Sequence, residues 1–275
     1  NPKQDCIEIK VSDTGSGFGE GVKNKIDEML LHYDKEKAKT ESIGILNVQK
    51  RIKLLCGKEF GLSYTENTDG TLTITELTDK GKSEYELSVP AELDGKKVSA
   101  IGDSAYKDDV IIKSVDIADG IEYIGSSAFL SCYNLENISI PQTVTDIGSH
   151  AFTETAWVEK QFASSSDIII NNILYQAEDD VEDYVVKDGV VTIASGVFYN
   201  NTTIKSVTLP SSVKNIGTNA FAGCTNLTEI NLPDGLESIG YGAFADSGLD
   251  TIRVPKSVKS IGADAFLGID TVDKE

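Results

Sequence analysis

No run of eighteen apolar residues occurs in this 275-residue chain, which excludes a membrane-spanning helix. Histidine is nearly absent. His32 and His150 stand far apart with no ligand-like spacing around either, so each reads as a surface residue and not as a base or a metal ligand. The four cysteines, Cys6, Cys56, Cys132 and Cys224, form no C-x-x-C pair and no Cys/His cluster, which argues against zinc or any other metal site. One Trp and one Met within a 40% hydrophobic composition leave an aliphatic core of the kind a soluble protein builds. No charged-then-apolar segment opens the chain, so no secretory signal is read. The first residue is Asn and not Met, as expected of an excerpt or a processed product, so the missing signal does not fix a compartment.

Positive charge is also in deficit, and unevenly so. Lys and Arg number 25 against 44 Asp and Glu, a net charge of −19. Residues 1–70 carry 11 basic against 12 acidic residues, while the remaining 205 carry 14 against 32. Such a surface keeps a protein soluble and repels nucleic acid and anionic lipid. Neither is expected as a partner.

What the chain does have is repetition. The segment I-G-x-x-A-F recurs from Ile101 (ending in Tyr106), Ile124, Ile147, Ile216, Ile239 and Ile261, with a degenerate copy from Ile193 to Phe198. Successive intervals are 23, 23, 46, 23, 23 and 22 residues. The interval of 46 is two periods and predicts a disguised copy at Ile170, where the chain reads Ile170-Asn171-Asn172-Ile173-Leu174-Tyr175. A second element, L-x-x-I-x-I-P, precedes the copies: Leu135 to Pro141, Ile204 to Pro210, Leu227 to Pro233 and Leu249 to Pro255. Ile112 to Ala118 is the same without the proline, and Val181 to Lys187 is a weaker version. Its alternation of apolar residues predicts a strand, which Pro closes because it has no N–H for a ladder. V-x-x-I follows, then Gly for a turn, then a helical half-turn carrying Ala and Phe.

One such unit cannot bury its apolar face alone, so the repeats are expected to stack into a solenoid with one continuous core. Phe129, Phe152, Phe221 and Phe244 should then form a column, with Ala220 small where the next coil approaches. Cys132 and Cys224 hold the same repeat position, 92 residues apart. Four coils at roughly 4.8 Å each separate them by about 19 Å, beyond the reach of a disulfide. They are expected to be buried packing residues.

The repeats resemble the BspA-type leucine-rich repeats, the LRR_5 family of bacterial surface proteins, over residues 71–268. The resemblance includes a lead-in, Leu87-Ser88-Val89-Pro90 followed by Leu93-Asp94-Gly95-Lys96-Lys97-Val98, and an irregular hairpin-like insertion from Trp157 to Gln176. Near 158–164 the chain departs from the pattern, Gln161 and Ala163 standing at core positions, which predicts a coil looped out there. The resemblance implies an adhesin or ligand-binding module, secreted or attached to a bacterial surface. The fold class expected is α/β: a solenoid of about eight 23-residue coils with short parallel strands.

Residues 1–70 have no repeat. A strand, Ile7-Glu8-Ile9-Lys10-Val11, runs into Asp13-Thr14-Gly15-Ser16-Gly17, and Ser42 to Val48 opens an amphipathic helix that Gly57 stops. Two strands are expected after it, about 60–65 and 71–77. Alone, D-x-G-x-G after a strand is a turn or a place where a ligand approaches the backbone. The whole string resembles the end of the ATP-binding domain of LytS-type sensor histidine kinases, in the GHKL group. The resemblance places Asp13 on adenine, Gly15 and Gly17 beside the base, and matches Gly44 and Asn47 to the later glycine motif. Ser42 and Ile45 depart from it. The upstream Asn and Glu that hold magnesium in that family, and its phosphoacceptor His, have no counterpart in this sequence. A partial, vestigial nucleotide site is expected, with Mg-ATP a cofactor only if the missing part is supplied. The domains expected are 1–70, a partial ATPase-like segment able to cap the array, and 71–275, the solenoid.

The function expected is therefore non-catalytic: capture of a protein or glycan, with no cofactor, through outward strand residues Asp116, Ser139, Thr208, Asn231 and Arg253. The alternative is a C-terminal kinase-domain fragment fused to repeats and resident in the cytoplasm.

Overall fold

A computed structural model of the chain describes residues 62–77 and 85–274. Each repeat winds into one coil with three sides: a short strand from the I-G segment, a turn side carrying Ala and Phe, and a strand from L-x-x-I-x-I. On the first side Ile74, Ile101, Ile124 and Ile147 pair in parallel register. Leu174, Ile193, Ile216, Ile239 and Ile261 do the same farther on. Nine coils are thereby counted among the described residues, one more than the eight copies in the sequence, because the strand Leu72–Leu77 takes its place in the sheet without an I-G motif. That strand pairs antiparallel with Leu62–Glu66, so the sheet reaches back across the expected boundary at residue 70. Leu62, Leu72 and Ile74 are fully buried.

The glycine of the I-G pair has a steric cause. A Cβ on Gly217 would lie 2.5 Å from the amide nitrogen of Ser195 in the preceding coil, a distance that backbone cannot accommodate. Beyond the glycine, the expected helical half-turn is a chain of i→i−3 turns: Ala220 N–H donates to Gly217 O at 3.4 Å and Ala222 N–H to Asn219 O at 3.2 Å. In seven of the coils two residues adopt the left-handed conformation there, such as Asn219 at φ 53° and Gly223 at φ 71° in the coil of Ile216. That conformation favours Gly and Asn. It turns alternate amides toward the following coil. Asn219, Phe221 and Gly223 donate to Tyr241, Ala243 and Ala245, each at 2.8 Å.

Between the three sides the aromatic column forms as expected. Tyr106, Phe129 and Phe152 stack at 5.0 and 5.5 Å between ring centres, and Phe198, Phe221, Phe244 and Phe266 at 5.2, 5.3 and 6.0 Å. Cys132 and Cys224 are buried and unbridged. Each thiol donates to a carbonyl of the preceding coil, Tyr106 O at 3.0 Å and Phe198 O at 2.9 Å.

The column breaks at the insertion. Thr155 caps a helix, Ala156–Phe162, which replaces the looped-out coil expected there. Thr155 Oγ1 accepts from Val158 N–H at 3.2 Å and donates to Phe152 O at 2.8 Å. A hairpin follows, Asp167–Ile170 against Ile173–Ala177, turned by Asn171 and Asn172, both left-handed. This corrects the disguised copy placed at Ile170. The residue in register with Ile193 is Leu174, and Ile170 lies in the antiparallel partner strand. A two-residue Asn-Asn turn reverses the chain locally, so counting periods lands four residues early.

Two tyrosines in this core face opposite fates. Tyr106 replaces Phe in the column, and its hydroxyl is buried with no hydrogen-bond partner. The Tyr175 hydroxyl oxygen instead accepts from Phe152 N–H at 2.8 Å, standing in for the carbonyl that the next coil supplies elsewhere. Burial pushes its phenol up to about 12, so it stays protonated at neutral pH. Tyr106→Phe is expected to raise stability by about 1 kcal/mol, and Tyr175→Phe to lower it by about 1–3 kcal/mol, since one change removes an unpaired polar group and the other creates one. Paired urea titrations check this; shifts of the same sign would contradict it.

Candidate binding surface

The third side of the coils presents the outward strand residues. Ser88, Asp116 and Ser139 stand in one parallel register column, on strands Glu86–Val89, Ser114–Ile117 and Asn137–Ser139. Val115 between them points inward and is buried. Strand pairing stops after Ser139, because the next position on this side is taken by the helix Ala156–Phe162. Trp157 N–H donates to Leu135 O at 2.7 Å, and the indole packs edge-on against Phe152 at 5.4 Å, which fixes the helix to the core.

Sheet and helix together enclose a groove of about 460 Å³. Its floor includes Ser88, Asp116 and Ser139, and its wall is Trp157, Lys160 and Gln161. Glu86, Asp116 and Glu136 set three carboxylates against one Lys160 ammonium, so the groove is acidic with a single cation on one wall. A half-buried indole beside hydroxyl, amide and carboxylate groups provides apolar contact and directional hydrogen bonds in one place, which is the make-up of a recognition site.

The remaining predicted residues are not brought to this groove. Thr208 and Asn231 share a register column with Val185 on the far side of the insertion. There Val185 is 68% exposed, while the Asn231 amide is occupied, accepting from Leu209 N–H at 3.0 Å and donating to Leu209 O at 3.1 Å. Arg253 lies on a third sheet, in register with Asp273. The expected single face is thus three patches. The helix accounts for the break between Ser139 and Thr208, and Thr155 followed by Trp157, Val158 and Phe162 is the sequence signal that could have revealed it. Trp157, Lys160 and Gln161 went unpredicted. Asp13, Gly15, Gly17, Gly44 and Asn47 lie outside the described residues.

On the first side of the coils, polar groups satisfy one another. Ser238 Oγ donates to Asn215 Oδ1 at 2.7 Å, and Asn215 Nδ2 reaches Thr192 Oγ1 at 3.4 Å. The two buried thiols are pushed up to about 12 by burial, and each already donates its proton to a carbonyl, so neither is a nucleophile. Among the described residues no cluster of His, Cys, Asp and Glu can hold a metal ion, and no helix is long and apolar enough to cross a membrane.

The chain matches the family described as BspA type leucine rich repeat region, in six copies, over residues 94–182 and 175–273. Among solved structures it is similar to the T. pallidum leucine rich repeat protein, at 28% identity over 67% of this chain and 86% of that one, with a TM-score of 0.40. It is also similar to a leucine rich cell surface protein from Faecalibacterium prausnitzii A2-165, at 19% identity over 78% and 93% of the two chains, TM-score 0.38. A leucine-rich repeat protein from Bacteroides ovatus ATCC 8483 shares 22% identity over 74% and 60%, TM-score 0.36. A search of curated proteins gives no match. The resemblance of residues 1–70 to a kinase ATP-binding domain rests on its motif residues alone.

Proposed function

Because this chain belongs to the BspA-type leucine-rich-repeat family, we propose that it is a non-catalytic module that binds a protein or glycan on its repeat surface. The observation that supports this most is the groove between Ser88, Asp116 and Ser139 on one side and Trp157, Lys160 and Gln161 on the other. A stack of coils holds each strand by hydrogen bonds to its neighbours. It offers rigid, closely spaced side chains, and a rigid surface loses little conformational entropy when it binds.

Within the groove the single cation has a distinct role. Lys160 is exposed, and it is the one group there able to pair with a ligand carboxylate. Trp157 supplies the apolar contact of the kind that dominates binding hot spots. Secretion or surface attachment agrees with this role and forms part of the proposal.

The test is a glycan array together with a panel of purified proteins, probed with the parent chain and with Lys160→Glu and Gln161→Ala. Both positions are away from the core, so folding is expected to persist, as circular dichroism would verify. A ligand whose affinity drops at least about tenfold in Lys160→Glu supports the groove. Folded protein that captures nothing from either panel would count against the module as a whole.

A further inference from the structure

A second concave site lies on the turn side of the coils, away from the groove above. We propose that the trough between Tyr199 and Tyr241 is a subsite for a neutral pyranose saccharide. This rests on the binding role proposed above and assigns it a ligand class and a place.

The trough has a volume of about 490 Å³. Its walls hold exposed tyrosines: Tyr199 is 51% and Tyr241 52% exposed. Side chains this large are left in solvent here although the same coils bury every Phe of the column. The register sets their spacing. Asn200 N–H donates to Ala222 O, and Asn219 N–H to Tyr241 O, so the two rings lie on coils two apart. Two coil spacings are about 10 Å along the axis, a span that admits a short stretch of sugar rings.

The floor between them is small. Ala222 and Ala245 fill equivalent positions of successive coils, and Gly223 is left-handed and cannot carry a side chain without strain. Flat sugar faces need such a floor, with aromatic rings at the sides to cover their C–H surfaces.

The polar groups fit hydroxyls. The amides of Asn200 and Asn219 each lie against the glycine of the following coil: Oδ1 falls 2.1 Å from where a Cβ would stand on Gly223, and 2.3 Å for Gly242. Neither amide has a hydrogen-bond partner among the described residues, so both carry unused donors and acceptors at the trough. The charged groups lining it are the carboxylates of Asp246 and Asp264, with no Lys or Arg. Acidic, sulfated and phosphorylated ligands are therefore repelled, and a neutral polyol is accepted.

The experiment is an array of neutral oligosaccharides of glucose, galactose, mannose and N-acetylglucosamine, beside sulfated and sialylated ones, probed with the whole chain. Tyr199→Ala and Tyr241→Ala are compared with Tyr133→Ala, an equally exposed tyrosine outside the trough. Support is binding to neutral sugars that falls at least about tenfold in the first two variants and holds in the third. The trough is overturned by preference for sulfated or sialylated sugars, by capture of basic peptides in place of sugars, or by neutral-sugar binding that neither tyrosine variant weakens. If that last binding is lost in Lys160→Glu, the groove and the general binding role stand while the trough does not. Absence of any ligand on either panel sinks both.

Discussion

Replacing Phe221 with alanine is expected to remove about 3–5 kcal/mol of stability, the usual loss for a buried Phe. The ring is fully buried and stacked on both sides, 5.2 Å from Phe198 and 5.3 Å from Phe244. Neither neighbour can collapse into the space, because each is held by its own coil. Coils touch only adjacent coils, so the loss concentrates in the segment between Phe198 and Phe266. A single sharp urea transition is then expected to broaden or to divide, the coils before the insertion unfolding last. Measuring the midpoint by circular dichroism checks this. A loss under about 1 kcal/mol would mean that the aromatic column is not where the array stores its stability.

Asp167→Ala is expected to cost about 2–4 kcal/mol, for an electrostatic reason and not a packing one. Its side chain is only 3% exposed and joins the insertion hairpin to the coil that follows. Its carboxylate accepts from Ser165 Oγ at 3.0 Å, Tyr184 OH at 3.1 Å and Lys187 Nζ at 2.5 Å. Burial alone pushes this carboxyl up. The hydrogen bonds from Lys187, Ser165 and Tyr184, with the Lys187 charge, outweigh it and bring the group below its ordinary value of 3.8. A carboxyl depressed by folding stabilises the protein above its unfolded pKa and loses that contribution as pH falls through the folded one. The parent chain should therefore lose stability below about pH 4, and Asp167→Ala should lose less over the same range. Equal pH profiles for the two proteins would remove the carboxylate from the account. Asp167→Asn keeps the volume and an acceptor for Tyr184, so its stability at neutral pH should fall between the two, while its pH profile should match that of Asp167→Ala.

The regular part of this architecture was legible because each residue position repeats. Ile124 and Ile147, or Phe221 and Phe244, can be superposed by counting, and stacked coils translate equal spacing into contact. Where the chain departs from its own period, counting fails. The hairpin turn at Asn171-Asn172 moved the core position from Ile170 to Leu174. Leu72–Leu77 is the strand expected at about 71–77, but without an I-G motif it was not counted as a coil. The candidate site was read less well than the fold, for the same reason. Asp116 and Ser139 fall in the groove because they belong to the repeat. Trp157, Lys160 and Gln161 come from a helix that belongs to no repeat. Asn231 shows a further limit of pattern: its outward position is as counted, yet its amide is spent on the backbone of Leu209.

On the turn side, alternate amides point one way. From Ser104 to Ser131, and again from Gly196 to Asp246, the cross-coil backbone bonds there join an N–H to a carbonyl of the coil after it, at 2.7–3.0 Å. Peptide dipoles so aligned add instead of cancelling, as they do along an α-helix, so each run is an electrical column, the second with its negative pole toward Gly196 and its positive pole toward Gly268. Asp264, left-handed in the turn of the last coil, sits toward the positive pole of the second run, where such alignment favours it. Reversing it to lysine would set like charge against that pole, a penalty that salt would relieve.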